Sequence, residues 1–271
     1  GRLLQTKYEC GRCHGPVAGG QLVAVKRLLP ELRGDPTLAK RFLDEVWMTA
    51  ALRHPNVVRV VGWGDDDHGS YLAVELVQGV SLARLTKTVF ETGEDFTERL
   101  VVTIAVAVAR GLAAAHELRS DRGEPLLLVH RNLTPSNVLL GFSGEVKIAD
   151  FGLAKAQDRL STTTASSLPP RPSTHLSPEE IRGDDVDHRA DLFALGVLLY
   201  ELLTRKLPFS GPSDIEVVQQ IVRTTPPEPV RLKPRLDRQL SALVMRCLEK
   251  DPAERWQSGR AIAEALEAWL Y

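Results

Sequence analysis

Near Gly79 the chain changes its pattern, and that change limits the folds open to it more than any other feature. Before it, short β-rich runs surround a single helix. Gln21 to Arg27 (QLVAVKR) is one such run. Val57 to Val61 and Ser70 to Val77 are two more, joined by the polar turn Asp65-Asp66-Asp67-His68-Gly69. Between them, Pro36 to Leu52 places Leu38, Phe42, Val46 and Ala50 on one helical face. After Gly79 the long stretches are helical. Thr97 to His116 is nearly all apolar, so the spacing predicts a helix buried on most sides. Leu126 to Val129 and Val146 to Ile148 read as short strands, Asp191 to Leu203 as another apolar helix, and three helical stretches follow to Tyr271. No internal repeat occurs and no linker separates two autonomous folds. A small sheet with one helix, continued by a larger helical part, is the expected outcome: an α+β chain.

Composition narrows the classes further. The chain has 271 residues, 43% apolar and 25% charged, which suits a soluble globular protein with a sizeable core. The formal net charge of -1 leaves no global field to draw it to nucleic acid or a membrane surface. The longest apolar run, Val101 to Ala109, is about half a membrane span and ends at Arg110. No signal-peptide pattern opens these residues, so a cytoplasmic location is expected. Of three cysteines, Cys10 and Cys13 stand in Cys10-Gly11-Arg12-Cys13-His14, a match to the C-x-x-C-H haem-attachment pattern. The pattern is short, and chance occurrence in a reduced compartment is the simpler reading. A disulfide or metal clip between Cys10 and Cys13 is the other one. Cys247 lies in an apolar helix and is expected in the core.

A set of motifs carries the chemistry. Val23-Ala24-Val25-Lys26 is followed 19 residues after the lysine by Glu45, in Phe42-Leu43-Asp44-Glu45. Then come His130-Arg131-Asn132-Leu133-Thr134-Pro135-Ser136-Asn137, Asp150-Phe151-Gly152 and Ser177-Pro178-Glu179. Asp191 opens the next helix, and Arg255 closes Asp251-Pro252-Ala253-Glu254-Arg255. In order and spacing this set resembles the protein kinase signatures V-A-I-K, H-R-D-x-x-x-x-N, D-F-G and A-P-E. It looks most like the bacterial branch of eukaryotic-like Ser/Thr kinases, for which His54-Pro55-Asn56-Val57-Val58 is also typical.

The resemblance implies a bilobal fold over residues 1–271: an N-lobe to about residue 76, a hinge at about 75–79 and a C-lobe over about 80–271. It implies that Lys26, held by Glu45, pairs with nucleotide phosphates, and that Asn137 and Asp150 hold Mg²⁺, so that ATP with Mg²⁺ is the expected ligand. Val74 becomes the gatekeeper and Glu75 to Val77 the hinge that meets adenine. Ala24 and Leu139 line the same pocket, and a spine runs through Thr49, Val60, His130 and Phe151. It puts Cys10 and Cys13 on an N-lobe strand and turn with no room for haem. Asp191 braces the catalytic loop, and Arg255 bridges to Glu179. Taken singly, Lys26 and Glu45 also read as a structural ion pair and Asp150 as a turn residue.

Four departures set the chain apart from an active kinase. Asn132 replaces the aspartate that accepts the substrate proton, a role worth about 10²- to 10⁴-fold in rate. Thr134 replaces the lysine that meets the γ-phosphate. The G-x-G-x-x-G loop is missing: residues 1–8 hold a single glycine, and either residues 2–8 serve as the first strand of the N-lobe or that strand is cut off from this sequence. Finally, G-T-x-x-Y-M becomes Arg171-Pro172-Ser173-Thr174-His175-Leu176, so Pro172 stands where a threonine hydroxyl would meet the catalytic aspartate. An engineered knock-out would change Asn132 alone.

The expectation is a pseudokinase that works in signalling through protein partners, with nucleotide as a structural ligand. The alternative is a weakly active Ser/Thr kinase. A third reading is a phosphorylation-controlled module, because Thr162, Thr163, Thr164, Ser166 and Ser167 cluster in a polar loop and Arg131 can clamp a phosphate. A merely solvated loop accounts for the same cluster, and Pro169-Pro170-Arg171-Pro172 reads as either a polyproline ligand or a stiff loop. No nucleic-acid partner, no haem and no membrane segment within these residues are expected.

Overall fold

A computed structural model describes residues 7–12, 22–27, 49–66, 69–151 and 174–271. Its first sheet holds β1 (Lys7–Arg12), β2 (Leu22–Arg27), β3 (Val60–Asp66) and β4 (Gly69–Glu75), in the order β1-β2-β4-β3 with every pairing antiparallel. A second sheet, in the order β5-β6-β7, joins β5 (Gly79–Ser81), β6 (Val138–Gly141) and β7 (Val146–Ile148). The helices are α1 (Leu82–Glu91), α2 (Glu98–His116), α3 (Pro178–Arg182), α4 (Arg189–Thr204), α5 (Asp214–Arg223), α6 (Pro229–Leu232), α7 (Arg238–Cys247) and α8 (Gly259–Leu270). A sheet-rich part thus precedes a helical part, as the change near Gly79 predicts. Cys10 lies in β1, while Cys13 falls outside the described residues.

The differences from expectation have local causes. The third strand begins at Val60 rather than Val57, because the backbone of 56–58 is already committed to β7. Ile148 N–H donates to the Asn56 carbonyl at 2.8 Å, and Val58 N–H donates to the Ile148 carbonyl at 2.8 Å. Val57 therefore forms only a parallel bridge to Ile148. Leu126 to Val129 is not a strand: Leu126 N–H donates to the Leu118 carbonyl, and the partner of β7 is β6, which the sequence reading did not single out. At the start of the second sheet, a Cβ on Gly79 would lie 1.9 Å from the Leu140 carbonyl oxygen, so only glycine lets β5 and β6 pair there. Of the helix predicted over 36–52, only the end at Thr49 and Ala50 is described. After residue 203 the chain forms four helices rather than three, the extra one being the single turn α6.

The core lies in the helical part. Thr97 caps α2 by accepting from Leu100 N–H at 3.3 Å, and eleven of the nineteen residues of α2 are buried. By length and composition α2 could cross a membrane, yet 61% of its most apolar window is buried, as in the core helix of a folded domain. It packs on α4 and α8. In α4 fourteen of sixteen residues are buried, Asp191 among them. Gly196 lets α7 approach α4, since a Cβ there would stand 2.4 Å from the Cys247 Cβ. Cys247 is fully buried as expected, and burial pushes its thiol up to about 12. A second, smaller apolar cluster of Val58, Leu72, Val74 and Ala149 lies between the two sheets, with Ala24, Val60, Val77 and Leu139 packed against it.

Candidate active site

β2 carries Lys26 inward. Val23 and Lys26 are the buried residues of the strand, and Lys26 shares its face with Ala24; the register sets Ala24 opposite Val74 and Lys26 opposite Leu72. A lysine only 2% exposed needs a counter-charge, since an unpaired buried ammonium is costly. Asp150 supplies one: its Oδ1 accepts from Lys26 Nζ across 124 residues of sequence. Glu45, expected to hold the same lysine, lies outside the described residues, as does Gly152.

Asp150 has a φ of 69°, in the left-handed region. Such a conformation in a residue other than glycine costs about 1–3 kcal/mol and persists where the surroundings over-determine it. Here Ala149, just before it, is held from two sides. Its N–H donates to the Asn137 carbonyl at 2.8 Å, and its carbonyl accepts from His130 Nε2 at 2.9 Å. The His130 ring also meets Phe151 edge-on, with centroids 4.5 Å apart. These contacts aim the carboxylate at Lys26. They also confirm the His130–Phe151 step of the expected spine, whereas Val60 belongs to the smaller apolar cluster.

The loop from His130 to Asn137 is fastened from below. Asp191, 1% exposed, accepts His130 N–H on Oδ2 and Arg131 N–H on Oδ1, each at 2.8 Å, and His116 Nε2 lies 2.8 Å from Oδ2. Burial raises the Asp191 carboxyl, but the hydrogen bond and charge of His116, together with His130, outweigh it and hold it below the ordinary carboxylate range. This clamp lets Arg131 adopt a φ of 61°. His130 is fully buried, and that burial lowers its pKa. As the neutral Nε2–H tautomer it accepts Asn132 N–H on Nδ1 at 3.2 Å while donating to Ala149. Asn137 closes the loop by donating from Nδ2 to the Asn132 carbonyl at 2.8 Å. The backbone of Asn132 is thus held at both ends. Among the described residues, no hydrogen bond engages its side-chain amide.

Ala24, Val74, Val77 and Leu139 come together as one apolar wall beside Lys26 and Asp150. The Glu75 carboxylate is committed to structure instead: it accepts Arg59 N–H and Lys147 Nζ, both at 2.8 Å. Residue types alone did not show four of these supports. They are His116 under Asp191, the Asn56 amide on the Val146 carbonyl at 2.9 Å, the Lys147–Glu75 pair, and the Ala149 backbone. A histidine ending an apolar helix and an asparagine inside His54-Pro55-Asn56 were the available signals.

Further out, Arg255 is fully buried and forms two bonds to Glu179, of 2.6 and 2.7 Å. The pairing with Glu179 is the expected one; Arg255 also donates to the Glu249 carbonyl at 2.7 Å. Thr134 immediately precedes the short 3₁₀ turn Pro135–Asn137, and its carbonyl accepts Asn137 N–H. Thr162, Thr163, Thr164, Ser166, Ser167 and Pro172 lie outside the described residues.

An apolar wall, a buried lysine on a carboxylate and a clamped loop thus meet at one site. Comparison with known proteins places this arrangement in a family. Residues 12–268 match the family described as "Protein kinase domain". "Tyrosine-protein kinase MasK" of Myxococcus xanthus is 36% identical over 248 residues, covering 92% of this chain and 38% of that protein. "Serine/threonine-protein kinase PknB" of Mycobacterium tuberculosis is 33% identical over 241 residues, covering 87% and 37%. The chain thus spans less than half the length of these relatives. A crystal structure of the Mycobacterium tuberculosis PknI kinase domain matches with a TM-score of 0.66 at 26% identity, covering 99% of this chain and 98% of that one. On its motifs, its fold and these matches, the chain belongs to the protein kinase domain family.

Proposed function

We propose that this chain is a pseudokinase: a kinase-fold module that binds a nucleotide, transfers phosphate poorly or not at all, and acts in signalling through protein partners. One observation carries the reading. The catalytic loop keeps its fastening to Asp191, Ala149 and Asn137, yet the residue held at its centre is the amide Asn132. An amide cannot take up a hydroxyl proton as a carboxylate does, and a loop in working order leaves misplacement out as the cause.

The residues present fit ATP with Mg²⁺. With Nδ2 of Asn137 turned to the Asn132 carbonyl, its Oδ1 meets no described donor. It and the Asp150 carboxylate are hard oxygen donors of the kind Mg²⁺ prefers. Two protein ligands are few, so nucleotide phosphates and water would complete the shell. Held by Asn137 and Asp150, Mg²⁺ would supply positive charge to offset that of the phosphates. Lys26 would turn from Asp150 toward the phosphates, and Ala24, Val74, Val77 and Leu139 would exclude water around the base.

The test pairs a thermal-shift titration with a radiolabelled transfer assay. ATP with Mg²⁺ should raise the melting temperature, and Lys26→Met should remove that rise. Wild-type transfer should sit at background, and Asn132→Asp should increase it by about 10²-fold or more. Ordinary turnover by the wild type would defeat the proposal.

A second reading, a weakly active protein kinase, draws on the retained Lys26–Asp150 pair and Asn137. Phosphoryl transfer depends chiefly on positioning and charge, which these residues supply. Residual transfer abolished by Asp150→Asn would favour it.

A further inference from the structure

In the helical part, α6 and the outer face of α7 enclose an open cavity of about 640 Å³. Three arginines reach it: Arg231 from α6, and Arg238 and Arg246 from α7. Residues 238, 242 and 246 follow helical spacing, so one face of α7 lines the cavity, and Glu249 just past the helix adds to its rim. Its apolar part comes from Val230, Ala242 and Met245. The Ser241 hydroxyl accepts Val230 N–H at 3.3 Å and ties α6 to α7, which fixes the cavity's width.

The arginines are underused by the fold. Arg231 has only a loose, exposed pair with Glu228 at 3.8 Å. Among the described residues, neither Arg238 nor Arg246 takes part in an ion pair. Arg246 is nonetheless held in place. Its guanidinium lies 4.2 Å from the centroid of the Trp256 ring, and Trp256 is itself anchored by donating Nε1–H to the Leu243 carbonyl at 3.2 Å. A guanidinium fixed on an aromatic face loses little freedom when an anion arrives, and its edge stays open for hydrogen bonds.

Charge and shape together select the ligand. Three guanidiniums suit a compact dianion with three acceptor oxygens, which a phosphate monoester offers and a single carboxylate does not. Glu228 and Glu249 at the same cavity repel a run of acidic residues and favour neutral or basic flanks around one phosphate. We propose that this cavity is a docking site for a phosphorylated serine or threonine of a protein partner, so that the chain reads phosphate with residues other than those of its nucleotide cleft. The proposal is independent of how Asn132 is read.

Fluorescence anisotropy tests it, using the whole chain and three labelled peptide pools with basic flanks and a central phosphoserine, serine or glutamate. The phosphoserine pool should bind at least about tenfold more tightly than the serine pool. Arg238→Glu should weaken that binding by about tenfold or more, and Arg238→Lys by less, with melting temperatures unchanged because this side chain is exposed. Lys26→Met should leave it intact. Equal binding of phosphoserine and serine pools would overturn the proposal, as would insensitivity to Arg238→Glu. Equal binding of the glutamate pool would overturn the phosphate assignment in favour of an acidic segment.

Discussion

Asp191→Asn isolates what holds the catalytic loop, because it removes one charge and one acceptor at nearly constant volume. Three donors converge on the native carboxylate: His130 N–H and His116 Nε2 at Oδ2, and Arg131 N–H at Oδ1, all at 2.8 Å. Asparagine brings a single oxygen. In its better orientation that oxygen keeps the two donors at the Oδ2 position, and the NH₂ group then faces Arg131 N–H. One charge-assisted hydrogen bond is lost, worth about 1.5–3 kcal/mol, and the two survivors weaken to neutral ones. The expected cost is about 2–5 kcal/mol, with the left-handed Arg131 no longer clamped. Urea unfolding followed by circular dichroism measures it, and the midpoint should fall with the slope unchanged.

The pH dependence has a definite sign. The folded-state pKa of Asp191 is depressed, so its contribution is fully present above the unfolded value of about 3.9 and is lost as pH falls through the lower folded value. The gap between wild type and variant should therefore be flat from about pH 6 to 8 and narrow below about pH 4. A cost under about 1 kcal/mol at neutral pH would refute the clamp, as would a gap that closes between pH 8 and 6.

Arg255→Met leaves the buried Glu179 carboxylate unpaired and should cost about 3–5 kcal/mol, while adding Glu179→Leu should recover much of that loss in the same urea assay. Burial pushes the Glu180 carboxyl up to about 7 against the hydrogen bonds from Ser177. Because this folded value is raised, wild-type stability should fall relative to Glu180→Gln as pH climbs from about 4.3 to 7, and parallel melts across that range check it. Cys247, fully buried with its thiol raised to about 12, should resist alkylation in the native protein and react only on unfolding, as peptide mapping after iodoacetamide would record.

Much of the architecture was legible because it rests on local periodicity. Thr97 and the apolar stretch after it announce α2 with its cap, and the β-rich run Gln21 to Arg27 announces the lysine strand. Strand limits were less legible. Val57 has the composition of a strand residue, but backbone pairing of its neighbours with Ile148 draws it away from the first sheet. The strand β6 was missed because it is only four residues long and its pairing with β5 comes from a segment distant in sequence, β7 alone being a near neighbour.

By itself the sequence determined which chemical groups exist: a lysine at 26, an amide at 132 where a carboxylate belongs, oxygen donors at 137 and 150, and a carboxylate at 191. Only the tertiary structure decided what those groups meet. It seats Asp150 on a lysine 124 residues away, places Asp191 beneath a loop 60 residues upstream, and closes Arg255 over Glu179 across 76 residues. The physical reason is range. Helix and strand patterns follow from neighbours within a few positions, whereas burying a charge needs a partner that packing alone delivers. The arginine-lined cavity is the sharpest case, because its walls come from two helices whose spacing is set by how they pack on the core.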